Sequence, residues 1–175
     1  YRTYTPGKQD FSDEIETLMG LSGSVQRYRR LRANIGGALQ FDPRRRQDTD
    51  FIFLATDAPA GRLLKAQLKF HYSGNIPVYS TSSVNALDGR SNADLNGIMF
   101  PDIPWLLAPN QSVSANKAVL QQYWGAGTAQ LSRFYALGYD AYYLTAMLNS
   151  AGRKRGLVVD GVTGVLEMDR EGQLH

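Results

Sequence analysis

A short apolar run, Phe51-Ile52-Phe53-Leu54-Ala55, stands between Asp50 and Asp57, and it constrains the fold more than any other feature of the chain. A continuous apolar stretch this short, closed by acids, has the pattern of a strand buried on both faces. Pro59 follows, suited to the first turn of a helix, where its missing N–H costs nothing. Leu63, Leu64, Leu68 and His71 then fall on one helical face, with Arg62, Lys65 and Lys69 on another. Ser73-Gly74-Asn75 ends that helix, and Ile76-Pro77-Val78-Tyr79-Ser80 reads as the next strand. The unit is β-α-β. Its two strands are expected to be adjacent and parallel, with a right-handed crossover and with helix 59–72 packed through Leu63, Leu64 and Leu68.

The rest of the chain is read around this unit. Tyr1-Arg2-Thr3-Tyr4 resembles the end of a strand, so the chain is expected to be a fragment, and its lack of a signal peptide says nothing about compartment. A short helix is expected near 11–19, capped by Asp10 or Ser12, and a second near 24–34, stopped by Gly36-Gly37. The polar stretch 81–96 leads to Gly97-Ile98-Met99-Phe100, a third strand candidate. Pro101, Pro104 and Pro109 surround Trp105-Leu106-Leu107, which argues against a regular element and for a crossing between domains. Helices follow near 113–124 and 134–149, the second with Phe134, Leu137, Ala141, Leu144 and Leu148 on one face. Residues 164–174 alternate as a hairpin turning at Asp169–Gly172. Strands alternating with helices indicate an α/β fold with a mostly parallel sheet. The loops after Ala55 and Ser80 then lie at the carboxyl ends of strands, the edge where open parallel sheets bind ligands.

Chemistry-bearing patterns are scarce. The chain has 175 residues and no cysteine, which removes disulfides, thiol nucleophiles and Cys-based metal sites. Ser114-Ala115-Asn116-Lys117 fits Ser-x-x-Lys and Ser83-Val84-Asn85 fits Ser-x-Asn, two motifs of penicillin-binding serine enzymes. Lys-Thr-Gly is missing, Asn85 precedes the serine it should follow, and among 12 serines and 5 lysines one Ser-x-x-Lys is a chance match. His71 belongs to an apolar helix face and His175 is the last residue, so neither a serine triad nor a metal site is indicated. Asp57, Asp88, Asp94 and Asp102 sit in loops, where capping a helix or turn explains an acid more simply than paired-acid catalysis. No glycine-rich phosphate cradle is present. No catalytic residue, cofactor or metal is therefore expected.

Charge is more informative. The formal net charge is only +3, yet seven arginines fall between Arg27 and Arg46 against one acid, Asp42. Arg27, Arg29, Arg30 and Arg32 occupy two helical turns, and Arg44-Arg45-Arg46 follow. A solvated helix face with a basic loop would explain this, and so would an acidic partner. Nucleic acid is disfavoured, since only Tyr28 is interleaved with these arginines and no nucleic-acid-binding module is recognisable.

Several segments together resemble the C-terminal domain of the LppC family of LpoA-type outer-membrane lipoproteins, activators of a class A penicillin-binding protein. They are Thr5-Pro6-Gly7-Lys8-Gln9-Asp10-Phe11, Arg44-Arg45-Arg46-Gln47-Asp48, Asp50–Ala55, Gln67-Leu68-Lys69-Phe70, Ile76–Ser82, Phe100-Pro101-Asp102-Ile103-Pro104-Trp105, Ala136–Tyr142 and Gly161-Val162-Thr163-Gly164. The resemblance implies a type I periplasmic-binding-protein-like α/β fold, a parallel sheet with flanking helices in two lobes, the first lobe incomplete in this chain. Within 1–175, residues of about 1–105 and 156–175 would form the second lobe, and about 110–155 the helices of the first. It implies a non-catalytic regulator that stimulates a bifunctional peptidoglycan synthase from the periplasmic side of the outer membrane, touching membrane only through a lipid anchor outside this chain. The family motif assigns no contact residues. The charge argument puts Arg27, Arg30, Arg44, Arg45 and Arg46 at the partner surface. The alternative is a solute-binding or sensor domain with a small ligand between lobes, held by Ser80, Thr81, Ser82 and Ser83 at a strand's end and by Tyr135 and Tyr139 opposite.

Overall fold

The computed structural model of the chain describes residues 1–36, 40–87, 92–107, 110–125, 129–151 and 156–175. Gly37, Asp88 and Pro109, each invoked above, lie outside them. The chain divides into two compact units, Tyr1–Ala86 with Ser91–Pro101, and Leu87–Arg90 with Asp102–His175.

The first unit contains α1 (Ser12–Leu18), α2 (Leu21–Ile35), β1 (Ile52–Leu54), α3 (Ala58–Leu68), β2 (Val78–Ser80) and β3 (Ile98–Met99). Asp57 starts α3 as expected, its carboxylate accepting the Ala60 N–H at 3.0 Å, with Pro59 in the first turn. The helix runs on through a π-helical turn, Lys69–Ser73. The three strands pair in the order β1-β2-β3, all parallel, with Ile52 opposite Val78 and Val78 opposite Ile98. The β-α-β unit therefore forms as its sequence pattern dictates. Phe11, Ile15, Leu64, Leu68, Ile52, Leu54, Val84 and Leu95 join one core, so α1, α3 and the turn at 82–84 cover the same face of the sheet. Gly61 allows this approach, since a Cβ there would stand 2.8 Å from Val84 Cγ2.

Two expectations fail here. β1 is not buried on both faces: Phe51 is 58% and Phe53 57% exposed, and Tyr79 and Met99 extend the same bare face. Leu63 is exposed rather than packed, leaving Leu64 and Leu68 to hold α3. Among the described residues, α1, α3 and the turn at 82–84 all pack on one face, and the alternate strand residues on the other face stay exposed. Residues 1–4 form no strand, although Tyr4 Oη reaches the Ala55 carbonyl (3.3 Å) and Thr56 Oγ1 (2.9 Å). Gly20, at φ +70°, ends α1 and lets α2 begin at Leu21, three residues before Ser24. Gly36, at φ +68°, closes α2 by donating to the Arg32 carbonyl.

The second unit contains α4 (Pro104–Leu107), α5 (Gln111–Trp124), α6 (Ser132–Ala151) and the antiparallel pair β4 (Val158–Asp160) and β5 (Val165–Glu167). The single turn of α4 appears where prolines argued against one, because Pro104 occupies its first position, where proline is tolerated. Trp105, Val113 and Ala136 form the core with Ile103, Leu106, Leu120 and Val162. The inward face of α6 is Ala136, Asp140 and Leu144, while Phe134, Leu137 and Ala141 are exposed, against expectation. The tail turns twice. Its main ladder pairs β4 with β5 across 161–164, and the expected turn at 169–172 closes a second, single-bridge pairing of Met168 with Leu174. Residues 156–175 pack with 102–151, tied to α6 through Asp140.

Candidate functional site

The arginine cluster is assembled by a return of the chain onto α2. The Arg44 N–H donates to Ser24 Oγ at 3.4 Å and the Arg46 N–H to the Met19 carbonyl at 2.8 Å. Phe41 stacks on Tyr28, ring centroids 4.2 Å apart and planes 14° from parallel. These contacts bring the second group of arginines beside the first. Arg27, Arg29, Arg30, Arg32 and Arg44 are exposed. Arg45 is half-buried and donates to Asn75 Oδ1 (3.3 Å) and to the Arg46 carbonyl (3.1 Å). Arg46 forms a two-point pair with Asp48, both contacts 2.6 Å, and this guanidinium holds the Asp48 carboxyl down at about 2. Among the described residues the other six arginines of the cluster have no carboxylate partner.

The candidate cleft residues fall in separate units and are described within each. Ser80 is buried, and its hydroxyl donates to the Leu54 carbonyl at 2.7 Å, a bond that ties β2 to β1. Thr81 and Ser82 are half-buried and line a broad hollow with Phe51, Phe53, Tyr79 and Met99, while Ser83 is exposed. In the second unit, Tyr135 and Tyr139 line a hollow of about 340 Å³ with Trp105, Asn116, Leu120 and Phe134. Tyr135 faces Trp124 and Tyr139 faces Trp105, each ring pair at 6.3 Å.

The remaining acids and bases are placed structurally. Asp57 caps α3. Asp102 is buried beneath Arg133, paired at 3.1 and 2.6 Å, and also accepts the Ile103 N–H. Asp94 lies in a single 3₁₀ turn. His71 is buried, its Nδ1 3.7 Å from Glu16. Ser114 is exposed on α5, and Lys117 sits 5.4 Å over the Trp105 ring, where burial lowers its pKa. Among the described residues no three His, Cys, Asp or Glu side chains gather as a metal site, and no helix is long and apolar enough to cross a membrane. Sequence reasoning passed over Asp140, whose buried carboxylate accepts from both Val162 and Thr163. The available signal was its position as the lone acid of α6, between apolar and aromatic neighbours.

This is an α/β protein of periplasmic-binding-protein-like type. Its fold is similar to that of the LpoA (YraM) C-domain from Haemophilus influenzae, described as a regulator of PBP1A, with TM-score 0.54 and 23% identity over 74% of this chain and 41% of that one. It is also similar to full-length LpoA from the same organism, with TM-score 0.53, covering 73% of this chain and 24% of that one. The model of the LppC lipoprotein family matches residues 3–175, so the chain belongs to the LppC family. The penicillin-binding protein activator LpoA of Vibrio cholerae serotype O1 is 30% identical over 167 residues, 94% of this chain and 27% of that protein. LpoA of Vibrio vulnificus is 27% identical over 175 residues, 99% of this chain and 28% of that protein. The chain thus spans little more than a quarter of the length of the curated relatives it matches.

Proposed function

We propose that this chain is a non-catalytic regulatory domain that binds and stimulates a class A penicillin-binding protein, a bifunctional peptidoglycan synthase, on the periplasmic side of the outer membrane. Its link to that membrane would be a lipid anchor outside this chain. The carrying observation is the match to proteins named penicillin-binding protein activators over 94% of the chain. The side chains support a binding role. The hydroxyl of Ser80 is committed to β1, Asp102 to Arg133 and Asp57 to a helix cap, and catalysis needs a nucleophile and a base left in reach of one another.

The test uses the purified chain and a purified, detergent-solubilised class A penicillin-binding protein. Glycan polymerisation and peptide cross-linking are followed with and without the chain, and binding is measured on immobilised synthase. Saturable binding with a faster rate is expected. No binding and no change in rate would overturn the reading.

A further inference from the structure

The C-terminal half of α2 is exposed from Arg29 to Gly36, although its sequence continues an apolar stripe. Leu21, Val25, Tyr28, Leu31 and Ile35 follow helical spacing, yet only Leu21 of these is buried, and Leu31 and Ile35 are 50% and 60% exposed. Leu31 and Ile35 stand at i and i+4, a spacing with which a helix lays anchors into a groove on another protein, and Tyr28, half-buried beneath Phe41, borders them. Arg27 and Arg29 flank Tyr28 in sequence, and Arg32, four residues after it, falls within the stripe itself. The helix dipole accounts for a cation at Arg32, in the last turn, but not for Arg27 in the middle of the helix.

We infer that this half of α2, with the returning segment that carries Arg44, is a docking helix for a protein partner whose apolar groove is rimmed by carboxylates. On the reading above, that partner is the synthase. Charge complementarity carries the choice. The window 27–46 holds seven arginines and no lysine, and the planar guanidinium pairs two-point with carboxylates and is weakly enough hydrated to enter an interface. Tyrosine and arginine around an apolar centre are also the composition of interface hot spots. A lipid surface fits less well. A helix lying in a membrane interface keeps its cations off the apolar face, whereas Arg32 interrupts that face.

The experiment compares the chain with Arg27→Glu/Arg30→Glu and Leu31→Ser/Ile35→Ser for binding to a purified class A penicillin-binding protein. Binding is measured at about 50 and about 300 mM salt, beside phosphatidylglycerol vesicles and with melting temperature recorded. Each double variant should weaken synthase binding by about tenfold or more at unchanged melting temperature, and the unsubstituted chain should bind less tightly at the higher salt. Should the Leu31/Ile35 pair lower the melting temperature, Ile35→Ser alone, at the helix end, serves in its place. Undiminished binding by both variants would overturn the docking helix and leave the synthase reading standing. No synthase binding by the unsubstituted chain would overturn both. Vesicle binding that the variants abolish, with synthase binding intact, would reassign the patch to membrane and overturn the inference.

Discussion

Asp140 holds Thr163 from the middle of α6: its Oδ2 accepts both the backbone N–H, at 2.8 Å, and the hydroxyl of that residue. Oδ1 accepts the neighbouring Val162 N–H at 2.9 Å. One carboxylate, only 3% exposed, thus replaces the partners that the turn between β4 and β5 lacks. Asp140→Ala should cost about 2–4 kcal/mol, because it deletes charge-assisted bonds and strands partly buried donors. Denaturant unfolding measures the loss. Hydrogen exchange should localise it, with the Val162 and Thr163 amides losing protection before those of β1 and β2.

Gly161 lies so close to that carboxylate that a Cβ would stand 2.6 Å from Asp140 Oδ2 and 2.9 Å from Leu166 Cδ1. Gly161→Ala should therefore destabilise by about 1–3 kcal/mol through overpacking. The two substitutions should couple: in an Asp140→Ala background the obstructing oxygens are gone, and Gly161→Ala should cost less. Additive losses in a double-mutant cycle would contradict the clash.

Leu64 and Leu63 are adjacent on α3 but face different surroundings, the first in the core and the second exposed. Leu64→Ala should cost about 2–5 kcal/mol as a buried truncation. Leu63→Ala should stay within about 0.5 kcal/mol, as exposed substitutions do. Equal midpoints in urea would mean that α3 is rotated from the orientation described.

The elements were legible because their ends carry local chemistry: Asp57 and Pro59 start α3, Gly36 closes α2, and acids bound the run at β1. What could not be read locally was which side each element turns inward. Phe51 to Ala55 is apolar at every position, so no alternation marks Phe51 and Phe53 as belonging to a bare face. On α6 the apolar periodicity pointed to Phe134 and Leu137, but a hydrogen-bond partner 22 residues away along the chain turns Asp140 inward instead. The arginine cluster was legible as charge. The exposure of Leu31 and Ile35 was not, because their spacing is that of a packed stripe. Ser80 read as a ligand contact because nothing in sequence shows that its hydroxyl is taken by Leu54.

Asp48 titrates near 2 instead of its ordinary 3.8, held down by the Arg46 guanidinium. A carboxyl whose folded pKa lies below its unfolded one adds stability above the unfolded value and loses it as pH falls through the folded value. The contribution should be complete above about pH 5 and fade from about 4 towards 2. Both side chains are exposed, so the effect is small and screened by salt. Asp48→Asn should flatten the fall in unfolding midpoint between pH 4 and 2, measured at low salt. A slope unchanged by the substitution would show the pair to be silent.

Ser114 is the residue on which a hydrolytic or acylating activity would have to rest, since the next residue in its Ser-x-x-Lys pattern, Lys117, has its pKa lowered by burial. A depressed lysine is a reasonable base in principle. Here the ammonium lies 5.4 Å over the Trp105 ring, a cation–π contact, and no contact places it on Ser114 among the described residues. Asn85, the other motif residue, accepts a hydrogen bond from Asn92 at 3.1 Å, and the chain contains no Lys-Thr-Gly to complete the set. Ser114 itself is exposed, so access would not limit its reaction with a small acylating agent. A fluorescent penicillin should therefore leave the chain unlabelled after denaturing electrophoresis, under conditions that label a penicillin-binding protein in the same tube. A covalent adduct mapped to the peptide containing Ser114 would overturn the non-catalytic reading, whatever the chain does to a synthase.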